Sequence, residues 1–137
     1  SRMIIGYVLA PTLEAKYTIE ALQQAISHAG SGNLCGTIHH SDRGVQYCCD
    51  EYITLLKEHH IRISMTEDSN PTDNGMAERV NGIIKNEFLE PLQTPKNLLE
   101  ALPLVDHAVR TYNTLRPHLN LNMRTPAQVY EGKQIIL

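Results

Sequence analysis

Short β-rich runs that alternate with stretches of helical periodicity predict an α/β domain. Residues 61–66 alternate apolar and polar, as a half-buried strand does. Ala15, Ile19, Leu22, Ala25, Ile26 and Ala29 recur at helical spacing, and Leu98, Leu102, Val105, Val109 and Tyr112 form a second such stripe. A chain of 137 residues suits one domain, residues 1–137, and 42% apolar with 20% charged residues fits a folded globular protein rather than a disordered one. No apolar run approaches the roughly 18 residues of a membrane span, so no membrane partner is expected. The opening Ser1-Arg2-Met3-Ile4 does not read as a secretory leader. The formal net charge of −3 does not by itself announce a binder of polyanions.

The elements follow in order. Residues 2–10, RMIIGYVLA, read as a strand with Gly6 as a bulge, ended by Pro11. A helix spans residues 13–29, with Thr12 as its cap and Gly30 as its stop. Residues 35–40 read as a short strand, followed by the polar turn Ser41-Asp42-Arg43-Gly44. Residues 49–59 carry Tyr52, Ile53, Leu55 and Leu56 on a second helix. Asn70-Pro71 marks residues 67–72 as a loop. A third helix is expected over residues 73–88, capped by Asp73 or Asn74. In the fourth, Thr94 caps, Pro95 takes the first helical position, Pro103 kinks or restarts the helix, and Pro117 ends it. Thr125-Pro126 opens a last short turn.

Cys35, Cys48 and Cys49 are an odd number with two adjacent, which suits a reducing compartment better than a disulfide framework. His39-His40, His59-His60 and Cys48-Cys49 all lack the spacing of a structural zinc site. The cysteines therefore read as small buried apolar groups.

Two carboxylates are placed more informatively. Asp42 follows a strand in a turn before Gly44, where a carboxylate projects into the crevice at the strand's carboxyl end. Glu78 lies early in the third helix. At 100° per residue Met76, Val80 and Ile83 share one face, and Glu78 groups with Asn81 and Lys85 on the other. A carboxylate flanked by an amide and an ammonium suits a hard-metal ligand beside groups that touch phosphate. Taken singly, each acid reads as solvated surface.

Their surroundings alter that reading. His39-His40-Ser41-Asp42-Arg43-Gly44-Val45-Gln46-Tyr47 precedes Asn70-Pro71-Thr72-Asp73-Asn74-Gly75-Met76-Ala77-Glu78-Arg79, with 35 residues between Asp42 and Glu78. This resembles the catalytic signature of DDE transposases and retroviral-type integrases. Tyr112-Asn113-Thr114-Leu115-Arg116-Pro117-His118, with Thr125-Pro126 beyond, is similar to the downstream signature of bacterial insertion-sequence transposases with an integrase core. The resemblance runs through almost the whole chain. It implies a ribonuclease H-like fold, a mixed sheet flanked by helices, with residues from about 119 to 137 as a carboxyl-terminal extension of the core. It also implies a triad of acids that binds two Mg²⁺ or Mn²⁺ ions, with Asp42 as second acid and Glu78 as third. Two ions about 3.5–4 Å apart clamp the incoming and outgoing oxygens of an in-line displacement. Water first cuts at a transposon end, and the freed 3′-hydroxyl then attacks target DNA.

The resemblance places the first acid on an earlier strand, and residues 1–41 hold no Asp, only Glu14 and Glu20. On that basis the chain is expected to lack the first two strands and the first acid, and to be inactive by itself. Residues 2–10 are then expected to pair with another chain or to pack irregularly. Between His107 and Tyr130 stand Arg110, Arg116 and Arg124 with no acid, a basic strip suited to DNA phosphates. Asn81, Lys85, Arg116 and His118 are the candidate DNA contacts, with His40 and Asn74 in support. Arg116 is read rather as structural, aimed by Pro117, and His40 equally as a satisfied structural histidine. The expected partners are transposon-end and target DNA and further copies of the chain, in the bacterial cytoplasm. Two rival readings stand beside this one: a ribonuclease H-like nuclease that only hydrolyses, and a catalytically dead DNA-binding remnant.

Overall fold

The computed structural model describes residues 1–30, 32–67 and 74–132. Its elements are α1 (Ala15–Ala29), β1 (Ile38–Ser41), α2 (Val45–Cys48), α3 (Asp50–Glu58), β2 (Arg62–Met65), α4 (Gly75–Ile83), a π-helical turn (Ile84–Leu89), α5 (Leu98–Thr114), a 3₁₀ turn (Leu119–Leu121) and α6 (Pro126–Glu131). Two compact units result, one of residues 5–79 and the other of residues 1–4 with 80–137.

In the unit of residues 5–79, β1 and β2 pair in parallel, with Ile38 opposite Arg62 and Ser41 opposite Met65. Ile19 and Leu22 of α1 pack with Tyr52 and Leu56 of α3 and with Ile61, forming this unit's core. The expected α1 stripe therefore faces inward. Gly30 closes α1 at φ 85°, its N–H donating to the carbonyls of Ile26 and Ser27, a conformation that costs glycine little. Thr12 does not cap α1. Its hydroxyl donates to the Glu14 carboxylate at 2.9 Å, and Glu14 occupies the cap position instead. The short helix α2 is a further departure, since four residues are too few to carry a readable period.

Residues 2–10 belong to no strand, which corrects the expected β-strand. Their backbone groups find side chains instead of a neighbouring ladder. The Tyr7 N–H donates to Gln24 Oε1 at 3.3 Å. Gly6 is no bulge: a Cβ there would collide with the Ala21 carbonyl and lie 2.9 Å from the Ala25 nitrogen. Glycine at this position lets the segment lie directly on the backbone of α1. Among the described residues the sheet is thus a parallel pair rather than a larger mixed sheet.

In the unit of residues 1–4 and 80–137, α5 buries Ala108, Val109, Tyr112 and Asn113. Asn113 holds the amino-terminal segment at both ends of one residue: the Ile4 N–H donates to its Oδ1 at 2.9 Å, and its Nδ2 donates to the Ile4 carbonyl at 2.8 Å. The amide thereby takes the place of a strand neighbour. Tyr112 adds a bond from its hydroxyl to the Arg2 carbonyl at 3.0 Å.

Helix α5 begins later than expected. Asn97, not Thr94, is the cap, accepting from the Glu100 N–H at 3.0 Å, while Glu100 returns to the Lys96 N–H at 2.8 Å. The helix runs unbroken through Pro103, an exposed position, so no restart is observed. Thr125 opens α6 with a full capping box, accepting from the Gln128 N–H while the Gln128 side chain accepts from the Thr125 N–H.

Three further expectations are corrected. Cys35 and Cys48, in a turn and on a short helix, are exposed, and Cys49 is half-buried against the core; all three are free. Helix α4 buries none of its residues: Met76 is exposed and Val80 and Ile83 are half-buried, three apolar positions being too sparse a stripe over nine residues. The third helix also does not stay α-helical to Phe88, since Ile84 to Leu89 form the wider π turn, closed by Glu90 N–H to Lys85 carbonyl at 2.8 Å. The loop expected from 67 to 72 and the cap at Asp73 lie outside the described residues from position 68 onward.

Candidate catalytic site

Asp42 follows the last residue of β1, at the carboxyl end of the parallel pair. The turn that carries it is pinned on both sides. The Thr66 N–H donates to the Ser41 carbonyl at 3.1 Å, and Arg43 Nε donates to the Thr66 carbonyl at 2.7 Å, stapling the turn to the end of β2. Asp42 Oδ1 accepts from the Gly44 N–H at 2.8 Å, which closes a side-chain turn and fixes the carboxylate's direction. A Cβ on Gly44 would come within 2.9 Å of that oxygen and 2.7 Å of the Gln46 amide nitrogen. Asp42 is exposed. Burial, with the Asp42 charge in support, pushes the Tyr47 hydroxyl above its ordinary value.

Glu78 is exposed in the first turn of α4 and belongs to the same compact unit as Asp42. Its N–H donates to the Asn74 carbonyl at 3.2 Å, the bond that opens the helix. A carboxylate is favoured there by the unpaired N–H groups of the first turn. Asn81 follows three residues later on the same helix, and Lys85 lies in the π turn that continues it, both exposed. Asn74 is half-buried.

Neither Asp42 nor Glu78 forms an ion pair among the described residues. Their exposed carboxylates are the hard oxygen donors that Mg²⁺ or Mn²⁺ takes. Among the described residues no three His, Cys, Asp or Glu side chains converge as a metal-binding group. The chemistry of the donors fits a divalent cation, with at most two of them supplied here.

The other candidates have intramolecular roles. His40 Nδ1 lies 2.8 Å from Ser64 Oγ, the residue opposite it in the parallel register. Arg116 forms a two-pronged ion pair with Glu87, Nε to Oε2 at 2.7 Å and Nη2 to Oε1 at 2.6 Å. Its Nη1 lies 3.4 Å from the ring nitrogens of His118. His118 is buried and meets the Tyr112 ring edge-on with centroids 5.2 Å apart. Glu87, Arg116, His118 and Tyr112 therefore join the π turn, α5 and the loop after it within one unit. The sequence singles out Arg116 and His118 but offers no signal for Glu87, which lies 29 residues from its partner.

A second cluster joins β1 to α2 and α3. Tyr52 Oη is 2.9 Å from His39 Nε2, and the rings of Tyr47 and Tyr52 meet edge-on at 5.5 Å. Burial drives the Tyr52 hydroxyl well above its ordinary range.

These environments carry a pH signature. Burial holds both His39 and His118 below the ordinary imidazole value of 6.5. For His118 the charges of Arg116 and Arg2 add to burial, and Glu87 opposes it. Unfolded imidazoles therefore take up protons at a higher pH than folded ones. Stability is complete above the ordinary value and falls as pH drops through it. The urea midpoint is expected to fall between about pH 7.5 and about pH 5.5, and His118→Gln to remove part of that fall. A midpoint that holds steady or rises over this range contradicts the account. Hydrogen bonding to Arg116 holds Glu87 below the ordinary carboxylate value of 4.5, so its contribution is lost only at lower pH.

Known proteins resemble this chain in sequence and in fold. Two models described as integrase core domain match residues 1–71 and 59–126. The transposase for insertion sequence element IS629 of Shigella sonnei is 31% identical over 125 residues, covering 91% of this chain and 41% of that protein. The chain spans about a third to a half of the length of the curated relatives it matches. The trimeric form of the HTLV-2 integrase catalytic core domain in complex with magnesium superposes with TM-score 0.63 and 29% identity. That match covers 85% of this chain and 69% of the other. The simian T-cell lymphotropic virus intasome in complex with PP2A regulatory subunit B56 gamma contains a chain with TM-score 0.73 and 22% identity. It covers 93% of this chain and 44% of that one, a likeness of fold. The first of the two family models alone takes in more than half of the residues, including β1, Asp42 and the whole parallel pair. The chain belongs to the integrase core domain family of DDE transposases and retroviral-type integrases, and its fold is ribonuclease H-like.

Proposed function

We propose that these 137 residues form catalytic-core sequence of a bacterial insertion-sequence transposase, with 119–137 as the core's carboxyl-terminal extension. The whole protein would cut and join DNA at transposon ends, act as a homo-oligomer and work in the cytoplasm. The observation that carries this reading is Asp42, fixed by the Gly44 N–H on a turn at the carboxyl end of the parallel pair. Family membership gives that position its meaning. No helix among the described residues is long and apolar enough to cross a membrane.

Asp42 and Glu78 are the residues that would hold Mg²⁺ or Mn²⁺. Such an ion offsets the negative charge that builds on the phosphoryl oxygens during displacement. Asn81 and Lys85, exposed beyond Glu78, would bind phosphate and set the register of the DNA backbone. Arg116 and His118 are better used inside the protein, where Glu87 already occupies the guanidinium fork. His40 holds β1 to Ser64 and so supports the turn two residues on.

With no Asp before position 42, the chain supplies two acids of an expected three, and by itself it does not cleave DNA. Mn²⁺ titration followed by NMR line broadening tests the pair. Broadening is expected around residues 40–44 and 74–82 and is lost in both Asp42→Asn and Glu78→Gln. Broadening scattered over the acidic surface and unchanged in the variants would refute it. The same sample should leave a transposon-end duplex uncut in Mg²⁺, and cleavage that disappears in Asp42→Asn would overturn the claim of inactivity.

A further inference from the structure

The loop after α5 presents apolar side chains where burial would be expected. Leu115 is 71% exposed, Leu119 82% and Met123 60%. The loop that bears the last two is closed and firmly bonded. The His118 N–H donates to the Arg124 carbonyl at 3.1 Å, the Met123 N–H to the His118 carbonyl at 2.9 Å and the Asn122 N–H to the Leu119 carbonyl at 3.0 Å. Its base is fixed by buried His118 and Thr125. Asn122 and Met123 stand consecutively in the left-handed region, at φ 54° and 60°. Asparagine enters that region readily, but methionine does so rarely. A strained backbone held by its surroundings and pointing an exposed Met outward is a feature that packing alone does not call for.

The chemistry around these side chains points to one kind of partner. Leu119-Asn120-Leu121-Asn122-Met123-Arg124 interleaves apolar residues with amides and ends in a cation. Asn120, Asn122 and Arg124 are exposed. No acid occurs between His107 and Tyr130, and among the described residues Arg116 alone of the three arginines there forms an ion pair, with Glu87. Cations and amides with no acid among them are complementary to the polyanionic phosphate backbone. Proteins that open the DNA minor groove use this set: Asn and Arg against base edges and phosphates, and Leu or Met pressed between base steps, which unstacks and bends the duplex.

We propose that loop 118–124 is a minor-groove wedge, in which Leu119 and Met123 enter a base step while Asn120, Asn122 and Arg124 engage the groove floor and the phosphates. This rests on the reading that the chain acts on DNA, and adds to it a surface and a distortion. A kinked duplex exposes its backbone at one step, the geometry a strand-joining enzyme needs at its target.

The test uses the 137-residue chain and an A·T-rich duplex of roughly 25 base pairs, with a dye at each end and 2-aminopurine at the centre. The wild-type chain is expected to bind with a salt-dependent affinity, shorten the end-to-end distance and brighten the 2-aminopurine. Leu119→Ser with Met123→Ser should keep the salt slope but lose the bend and the brightening, with binding weakened about tenfold. Both side chains are exposed, so its melting curve should match the wild type. Arg124→Gln should lower the salt slope by about one ion. Bending that persists in the double variant overturns the wedge while leaving DNA binding intact. A double variant that changes the sedimentation of the free chain assigns the surface to protein contact and likewise overturns it. If the wild-type chain binds no duplex at all, both the wedge and the DNA reading fail.

Discussion

Replacing Tyr112 with alanine lowers the unfolding free energy by about 3–5 kcal/mol, the range for deleting a large buried aromatic. Tyr112 has no exposed surface, and its ring fills the space between α5 and the His118 imidazole. Truncation leaves a cavity beside His118 and removes the bond that holds the Arg2 carbonyl. Natural domains carry only about 5–15 kcal/mol in total, so amides of α5 and α6 should exchange far faster than in the wild type. Tyr112→Phe separates the two contributions. It keeps the ring, loses the bond to Arg2 and should cost roughly 1 kcal/mol. Urea unfolding monitored by circular dichroism measures both. An alanine variant as stable as the phenylalanine one would show that the ring does not pack as described.

Leu56→Ala is expected to cost about 2–5 kcal/mol in the other unit. Leu56 is wholly buried on α3, in contact with the cluster of Ile19, Leu22, Tyr52 and Ile61. The cavity would lie beside Tyr52, whose hydroxyl meets His39 Nε2. His39 is on β1, three residues before Asp42, so loosening Tyr52 reaches the proposed site through one strand. The variant should therefore shift the ring protons of His39 and broaden the amides of residues 42–44 before the unit melts. Unchanged His39 resonances in a destabilised variant would show that the α3 core and the Asp42 turn are independent.

The downstream Tyr112–His118 motif takes on a physical meaning in the fold. Tyr112 and Asn113 hold Arg2 and Ile4, Arg116 locks the π turn through Glu87, and His118 packs on Tyr112. The residues of the motif that looked suited to phosphate are engaged inside the protein. Arg110 and Arg124 are exposed and form no ion pair among the described residues, and Asn81 and Lys85 are exposed beyond Glu78.

Local chemistry determined much of this protein from the sequence alone. The apolar period of α1, the glycine stop at position 30 and the Thr125-Pro126 cap are short-range effects, satisfied within a few residues. The turn bearing Asp42 was legible for the same reason, because an Asp two residues before a Gly closes its own hydrogen bond. The start expected at Thr94-Pro95 did not hold, because the side chains of Asn97 and Glu100 satisfy the start of the helix through two local hydrogen bonds.

Tertiary structure decided the rest. Whether residues 2–10 form a strand depends on a neighbour's backbone, and here their groups meet Asn113, Tyr112 and Gln24 instead. The pairing of Arg116 with Glu87 and the close approach of Gly6 to α1 bring together residues far apart along the chain. Periodicity reports which side of an element is apolar; it does not report what that side will meet. Met76 and Leu119 are both apolar and both exposed, because burial belongs to the partner surface as much as to the side chain.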